Sequence, residues 1–166
     1  PPYLKWEANK GYYLKAHGSV DWVYCVNGAC RAHNKVFPIL EPMSTYFCYE
    51  CHERTEGLII PPVLNKSYRQ YPLIRRIWNV AVQEIRAANE IIVWGYGLAP
   101  TDFHTAWLLR KASAEVNLSR VALINPKAFN KEGEVGALTR RFQGIFKSRD
   151  VVHPYKSFEE YLGKGS

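Results

Sequence analysis

Apolar residues Leu73, Ile74, Ile77, Trp78, Ala81, Ile85 and Ala88 recur at helical spacing. The spacing predicts an amphipathic helix over Pro72 to Asn89, with proline at its start, where its missing N–H costs nothing. Glu90 to Trp94 then reads as a short apolar strand. Thr101 can cap a second helix whose apolar face is Ala106, Leu108, Leu109 and Ala112. Arg120 to Ile124 is a further strand, closed by Asn125-Pro126. A third helix is expected over Val135 to Phe142, a strand-like piece over Asp150 to His153, and a last helix over Phe158 to Leu162, capped by Ser157. Short apolar strands alternating with helices imply an α/β fold with a parallel, doubly wound sheet. Before Pro72 the pattern differs. Tyr12 to Ala16 is a strand-like run that ends in a His17-Gly18 turn. Trp22 to Glu56 is rich in turns and cysteines and has little helical period. Leu58 to Val63 is extended, because proline restricts both itself and its predecessor. The sequence holds no internal repeat and no low-complexity segment. Residues 1–14 read as a linker or end-piece, 15–71 as a small cysteine-bearing lobe and 72–166 as the sheet-and-helix region.

A chain of 166 residues, 47% hydrophobic, suits a folded domain with a real core and excludes a disordered tail. The formal net charge is +7, but the 22 basic residues are scattered, with only short pairs such as Arg75-Arg76, Arg110-Lys111 and Arg140-Arg141. Such an excess is first a solvated surface. It also suits phosphates, whether of a dinucleotide or, less favoured, of nucleic acid. The sequence contains no secretory signal and no apolar run near the roughly 18 residues of a membrane span. A cytoplasmic protein without membrane partners is expected. The chain opens Pro1-Pro2 rather than with methionine, which raises the expectation of a longer intact protein.

Four cysteines change the picture of the small lobe. Cys25 and Cys30 are separated by four residues, and Cys48 and Cys51 by two. Two close pairs joined by a loop can bring four thiolates around one tetrahedral ion. The intervening loop has few apolar residues in regular order, so a metal would be its main organiser. A structural zinc at Cys25, Cys30, Cys48 and Cys51 is therefore expected in a zinc-ribbon-like lobe. Buried free thiols or a disulfide pair are the other readings. His33 and His52 are conceivable substitute ligands. Four thiolates leave no open coordination position, which gives the metal no catalytic role.

Two short words flank this module. Lys15-Ala16-His17-Gly18-Ser19-Val20-Asp21-Trp22 places a histidine at a turn, where glycine lets the ring face a cleft. Histidine suits general-base work near neutral pH, and a structural turn histidine is the bland reading. The second word is Ile91-Ile92-Val93-Trp94-Gly95-Tyr96-Gly97-Leu98-Ala99-Pro100-Thr101-Asp102-Phe103-His104. Gly95-Tyr96-Gly97 follows a strand and precedes a helix, where glycines let the backbone approach a sugar or phosphate. The same residues also suit a tight strand-to-helix connection. Asp102 falls in the first helical turn, where the macrodipole favours a carboxylate, and a cofactor contact is its second reading. His104 reads as a surface helix residue.

In their order (His-Gly, four cysteines, strand and Gly-x-Gly turn, strand and asparagine) these features resemble the C-terminal portion of a sirtuin-like NAD-binding domain. The resemblance runs from about Lys15 to Asn125. It implies the second half of a Rossmann-like sheet beside a zinc lobe, with His17 as the catalytic histidine. Gly95, Tyr96, Gly97, Asp102 and Asn125 would be cofactor-binding residues on the adenosine side of NAD. The Gly-Tyr-x-Leu-x-x-Thr-Asp word is similar to that of prokaryotic sirtuin-like domains in anti-phage defence proteins, which are mostly NAD hydrolases. The deacylases of the family carry a Gly-Thr-Ser turn instead, and their peptide-binding segment ends in Phe-Gly-Glu. Here the corresponding stretch reads Ile60-Pro61-Pro62-Val63-Leu64-Asn65-Lys66.

The family's phosphate loop, Gly-Ala-Gly-x-Ser, does not occur in this sequence. The resemblance therefore implies that the first strands of the sheet lie N-terminal to Pro1, in a partner domain of the same protein. It implies an enzyme that cleaves NAD, as substrate, to nicotinamide and ADP-ribose in antiviral defence, and a chain that is inactive alone. An NAD-dependent protein deacylase is one alternative. A non-catalytic zinc ribbon that binds nucleic acid or protein is another, and a homo-oligomer is compatible with each.

Overall fold

A computed structural model describes residues 11–41, 45–60, 71–113, 118–133, 135–146 and 151–163. The chain divides into two compact units, the first ending at Val80 and the second beginning at Ala81.

In the first unit β1 (Gly18–Tyr24) lies between β2 (Val36–Pro38) and β3 (Glu56–Ile59), antiparallel to both. The run Tyr12 to Ala16 forms no strand, contrary to its strand-like pattern. The Gly18 N–H donates to the Lys15 carbonyl at 3.0 Å, so a turn occupies that position and pairing begins only after it. Gly18 sits at φ +77°, and a Cβ on it would lie 2.0 Å from the Leu58 carbonyl oxygen. Backbone of β3 thus occupies the space that any side chain would need. Of the extended stretch expected over Leu58 to Val63, residues 61–63 lie outside the described residues. So does the expected end-piece up to Lys10.

Helix α1 (Pro72–Ala87) buries Ile74, Ile77 and Trp78. It crosses the division between the units, and its Ile85 packs against the core of the second. That core belongs to a parallel sheet of order β4-β5-β6, from β4 (Glu90–Trp94), β5 (Arg120–Ile124) and β6 (Val152–Tyr155). Helix α2 (Phe103–Ser113) connects β4 to β5, and α3 (Ala137–Phe146) connects β5 to β6. β4 and β5 have the bounds that their apolar runs predict. Val93, Val121, Leu123 and Val152 pack with Leu109, Leu138, Phe142 and Ile145 of the two helices. Along β4 this takes the odd-numbered side, and Ile92 and Trp94 point to the other. Trp94 stacks there on Phe158 of α4 (Phe158–Tyr161), with ring centroids 4.5 Å apart.

α1 ends at Ala87, two residues short of the expected Asn89, and α4 at Tyr161, one short of Leu162. Further boundaries also depart from the sequence pattern. Asp102, rather than Thr101, caps α2: its carboxylate accepts the Thr105 N–H at 3.3 Å. α3 starts two residues later than expected, because the Gly136 N–H is bonded to the Ala128 carbonyl and Val135 bridges Phe129. It also runs four residues further, which buries Ile145 and Phe146. β6 reaches Tyr155 through Pro154, which an outer strand tolerates because one side of its backbone needs no ladder bond. Ser157 does cap α4, its hydroxyl accepting the Glu160 N–H. Among the described residues no helix is long and apolar enough to cross a membrane.

Gly18→Ala is expected to destabilise the first unit by more than the roughly 1–3 kcal/mol that left-handed backbone costs a non-glycine residue, because the overlap with Leu58 adds to it. Gly28→Ala, whose Cβ meets nothing within 4 Å, is the control. Denaturant unfolding checks both; equal midpoints for the two variants would refute the close approach.

Candidate functional site

The four cysteines converge. β1 delivers Cys25 directly after its last residue, and a turn returns Cys30 to it: the His33 N–H donates to the Cys30 carbonyl and the Asn34 N–H to the Cys25 carbonyl, each at 2.9 Å. The second pair sits in a hairpin. Thr55 N–H bonds to the Tyr46 carbonyl and Cys48 N–H to the Glu53 carbonyl, so Cys48 and Cys51 occupy its tip. Asn27 donates to the Glu53 carboxylate at 3.0 Å and ties one loop to the other.

The four Sγ atoms lie within 4.8 Å of one another. Cys25 and Cys51 sulfurs are 3.7 Å apart, and those of Cys30 and Cys48 3.8 Å. A disulfide requires about 2.05 Å. A tetrahedral zinc with bonds of roughly 2.3 Å sets its ligands about 3.8 Å apart. Amide N–H groups point at the sulfurs, from Ala32 to Cys30 at 3.3 Å and from Glu50 to Cys48 at 3.4 Å. Such donors stabilise thiolate rather than thiol. The N–H groups of Cys51 and Glu50 hold the Cys48 thiol down at about 7, whereas burial pushes the Cys25 thiol up to about 12. The cluster can hold a metal ion, and its spacing and chemistry fit zinc. Asn34 and His52 each take positive φ in the turn that follows a cysteine pair. His33 and His52 are exposed and stand outside the group of four.

His17 lies half-buried at the entrance to β1. Its Nδ1 is 3.3 Å from the Ile60 carbonyl oxygen, and its ring meets Trp78 edge-on with centroids 6.2 Å apart. A carbonyl only accepts, so Nδ1 is the donor in this contact. The turn around it is braced twice. The Trp78 indole N–H donates to the Ala16 carbonyl at 2.8 Å. The Lys15 ammonium donates to Ser19 and pairs with Asp21 at 3.2 Å. The hydrogen bond from Ser19, then the Lys15 ammonium, hold the Asp21 carboxyl below the usual range. Trp78 is invisible as a site residue in the sequence, where its helical spacing marks it only as core.

In the second unit Gly95 and Asn125 follow directly on the carboxyl ends of neighbouring strands. Trp94 pairs with Ile124 in register, and the Gly95 N–H donates to the Ile124 carbonyl at 3.0 Å. Gly95 takes φ +70°, a conformation glycine alone adopts without strain. Gly97 has no positive φ, and a Cβ on it would meet nothing within 4 Å. Asn125 is buried, and its side-chain oxygen accepts the Lys127 N–H at 2.9 Å, capping a short 3₁₀ turn. Asp102 is buried as well. Tyr96 donates its hydroxyl to it at 2.7 Å and Thr105 at 2.9 Å, so this carboxylate holds the glycine turn against α2. Burial and that carboxylate push the Tyr96 phenol upward. His104 is half-buried in the first turn of α2. The described structure thus gathers Gly95, Tyr96, Gly97, Asp102 and Asn125 at one sheet edge of the second unit, and His17 and the cysteines in the first.

No protein-family model matches the chain, and no curated protein does. Among solved structures the chain is similar to a mutant Sir2 homologue in complex with ADP-ribose, at 15% identity and a TM-score of 0.47. The match covers 94% of this chain and 56% of that one, so the chain spans little more than half the length of that structure.

Protein purified without chelator is expected to contain about one zinc per chain by elemental analysis. Cys25→Ser or Cys48→Ser should lose it and expose the amides of the first unit to exchange before those of the second. Metal-free protein with unchanged exchange would refute the site.

Proposed function

We propose that the chain is the C-terminal part of a sirtuin-like NAD-hydrolysing domain, with a structural zinc in its first unit. The observation that carries this is the pairing of the Gly95-Tyr96-Gly97 turn with Asn125 on adjacent carboxyl ends of a parallel sheet. Open parallel sheets bind their ligands at that edge. Gly97 supports the reading further. Neither its φ nor crowding requires glycine there, and the bare backbone leaves room for close approach of a sugar or phosphate. The order of His17, the four thiols, this turn and Asn125 matches the family pattern. The intact protein then supplies the phosphate loop and the first strands of the sheet.

The reaction breaks the bond between nicotinamide and the ribose C1′. The bond's electron pair leaves with the pyridinium nitrogen and neutralises it. Water adds its oxygen to the oxocarbenium-like carbon, and its proton passes to Nε2 of His17, whose Nδ1–H stays on the Ile60 carbonyl. Nicotinamide, ADP-ribose and one proton result. The zinc supplies no chemistry, because four thiolates close its coordination shell. Hydrolysis is favoured over deacylation by the sequence word at Gly95 to Asp102. The stretch matching the peptide-binding segment lies, after Ile60, outside the described residues. A role in anti-phage defence belongs to the same proposal.

In the intact protein His17→Ala should cut nicotinamide release by roughly 10²–10⁴-fold while zinc content stays the same. Gly97→Val should raise the KM for NAD without shifting the unfolding midpoint. Turnover unchanged in His17→Ala would make His17 a structural turn residue. Acyl-peptide-dependent release of nicotinamide would favour the deacylase.

A further inference from the structure

A groove of about 380 Å³ lies between α2 and α3; Leu98 and Asp102 are on its lining, whereas Gly95, Gly97 and Asn125 are not. Its size falls in the range of small-molecule sites, roughly 300–1,000 Å³. Three guanidinium groups surround it: Arg110 from α2, and Arg140 and Arg141 from α3. Two of them are fixed in place. Arg141 donates to the Leu98 carbonyl at 3.0 Å, and Arg140 to the Val135 carbonyl at 2.7 Å. Each guanidinium has five N–H donors, so each keeps donors for a ligand. The acidic residue on the lining is Asp102, whose carboxylate is already engaged by Tyr96 and Thr105. Three positive charges therefore face a groove that offers them no uncommitted carboxylate among the described lining residues.

The rest of the lining is apolar, and one part of it is unusual. Phe103 is 58% exposed at the rim, where a large ring gains nothing from solvent. Gly144 leaves the α3 side without a side chain, and a Cβ there would meet nothing within 4 Å. Glycine inside a helix costs about 1 kcal/mol relative to alanine. Neither packing nor backbone requires it here, but an open groove does. A flat aromatic surface beside arginine forks is the combination that recognises a base joined to phosphate: the ring stacks and the guanidinium groups take the phosphate oxygens.

We propose that this groove binds a nucleoside phosphate, at a site distinct from the sheet edge assigned to NAD. Phe103 stacks on the base, Arg110 and Arg140 hold the phosphate, and Gly144 provides the room. Asp102 borders both this groove and the glycine turn, its carboxylate committed to Tyr96 and Thr105, but His17, the residue proposed to act on NAD chemically, is not on the lining.

Calorimetry of the full chain with ADP, adenosine and inorganic phosphate tests the proposal. ADP is expected to bind more tightly than either fragment. Arg110→Gln combined with Arg140→Gln should weaken ADP at least about tenfold, the value of one charge-assisted hydrogen bond. Phe103→Ala should weaken ADP several-fold and leave inorganic phosphate unchanged. Gly144→Leu should abolish binding while retaining or raising the unfolding midpoint, which separates loss of the site from loss of the fold. The proposal is overturned if ADP fails to bind the wild-type chain, or if the arginine and Gly144 variants bind it normally. It is equally overturned if Gly97→Val abolishes binding, which would place the ligand at the sheet edge. Tighter binding of a single-stranded oligonucleotide, unaffected by Gly144→Leu, would overturn it in favour of a diffuse basic surface.

Discussion

Val121, Ala122, Leu123 and Ile124 of β5 are almost wholly removed from water, with exposures of 1% or less. A strand buried on both faces needs a neighbour on each side and cover above and below. β4 and β6 supply the ladders, α2 and α3 cover one face, and α4 contributes to the other. The buried run ends at Ile124, and the next residue is the polar Asn125, which turns the chain through its own side-chain bond to Lys127. The carboxyl edge of the sheet is therefore fixed by where apolar burial stops. Gly95 is drawn to the same level because Trp94 and Ile124 are in register. The same burial sets α2 and α3 side by side, which creates the groove between them.

In the first unit Trp22, Val23, Leu58, Ile74, Ile77 and Trp78 are buried, whereas the cysteine loops have only a small cluster of their own. That cluster consists of Cys25, Ala32 and Cys48, with Cys30, Cys51 and Phe37 packed against it. So small an apolar group contributes little against the entropy of ordering the loops around it. Backbone bonds and the Asn27–Glu53 contact align the two cysteine loops. A dication binding four thiolates would supply the missing free energy and would set their protonation as well, deprotonating even the buried Cys25. The far end of β1 depends on a different contact. There Gly18 meets β3 at Leu58, and the Ile60 N–H donates to the His17 carbonyl at 2.8 Å. The histidine is thus fastened to the same short strand from both its backbone and its ring.

β4 and β5 were legible because each holds an unbroken apolar run that marks its own limits, although only β5 is buried along its length and β4 leaves Ile92 and Trp94 exposed. β2 was not legible, since Val36 to Pro38 is too short for any period to show. Tyr12 to Ala16 misled because a strand-like run says nothing of a partner strand. Cysteine spacing foretold the four-thiol cluster, as local chain geometry largely decides it. The Gly95 turn and Asn125 were legible individually, but their adjacency depends on strand register. The arginines of the groove were read as scattered pairs. Arg110 and Arg140 are thirty residues apart, and only the packing of α2 against α3 brings them to one groove.

Glycines separate what the fold requires from what a ligand requires. Gly18 and Gly95 are explained by the chain itself, the first by positive φ and the Leu58 carbonyl, the second by positive φ alone. Substitution at either would disturb folding whatever the protein binds. Gly97 and Gly144 have no such explanation: the backbone is ordinary and the space beside it is empty. Gly144 even costs helix stability, about 1 kcal/mol relative to alanine. Gly28 and Gly57 share both properties, so open space alone does not mark a site; at Gly97 and Gly144 the neighbouring groups carry the argument. One of these two glycines lies by the carboxyl edge of the sheet and the other in the groove lined by arginines. Under the two proposals these are the places where the backbone stands open to a ligand, each beside groups suited to phosphate or sugar.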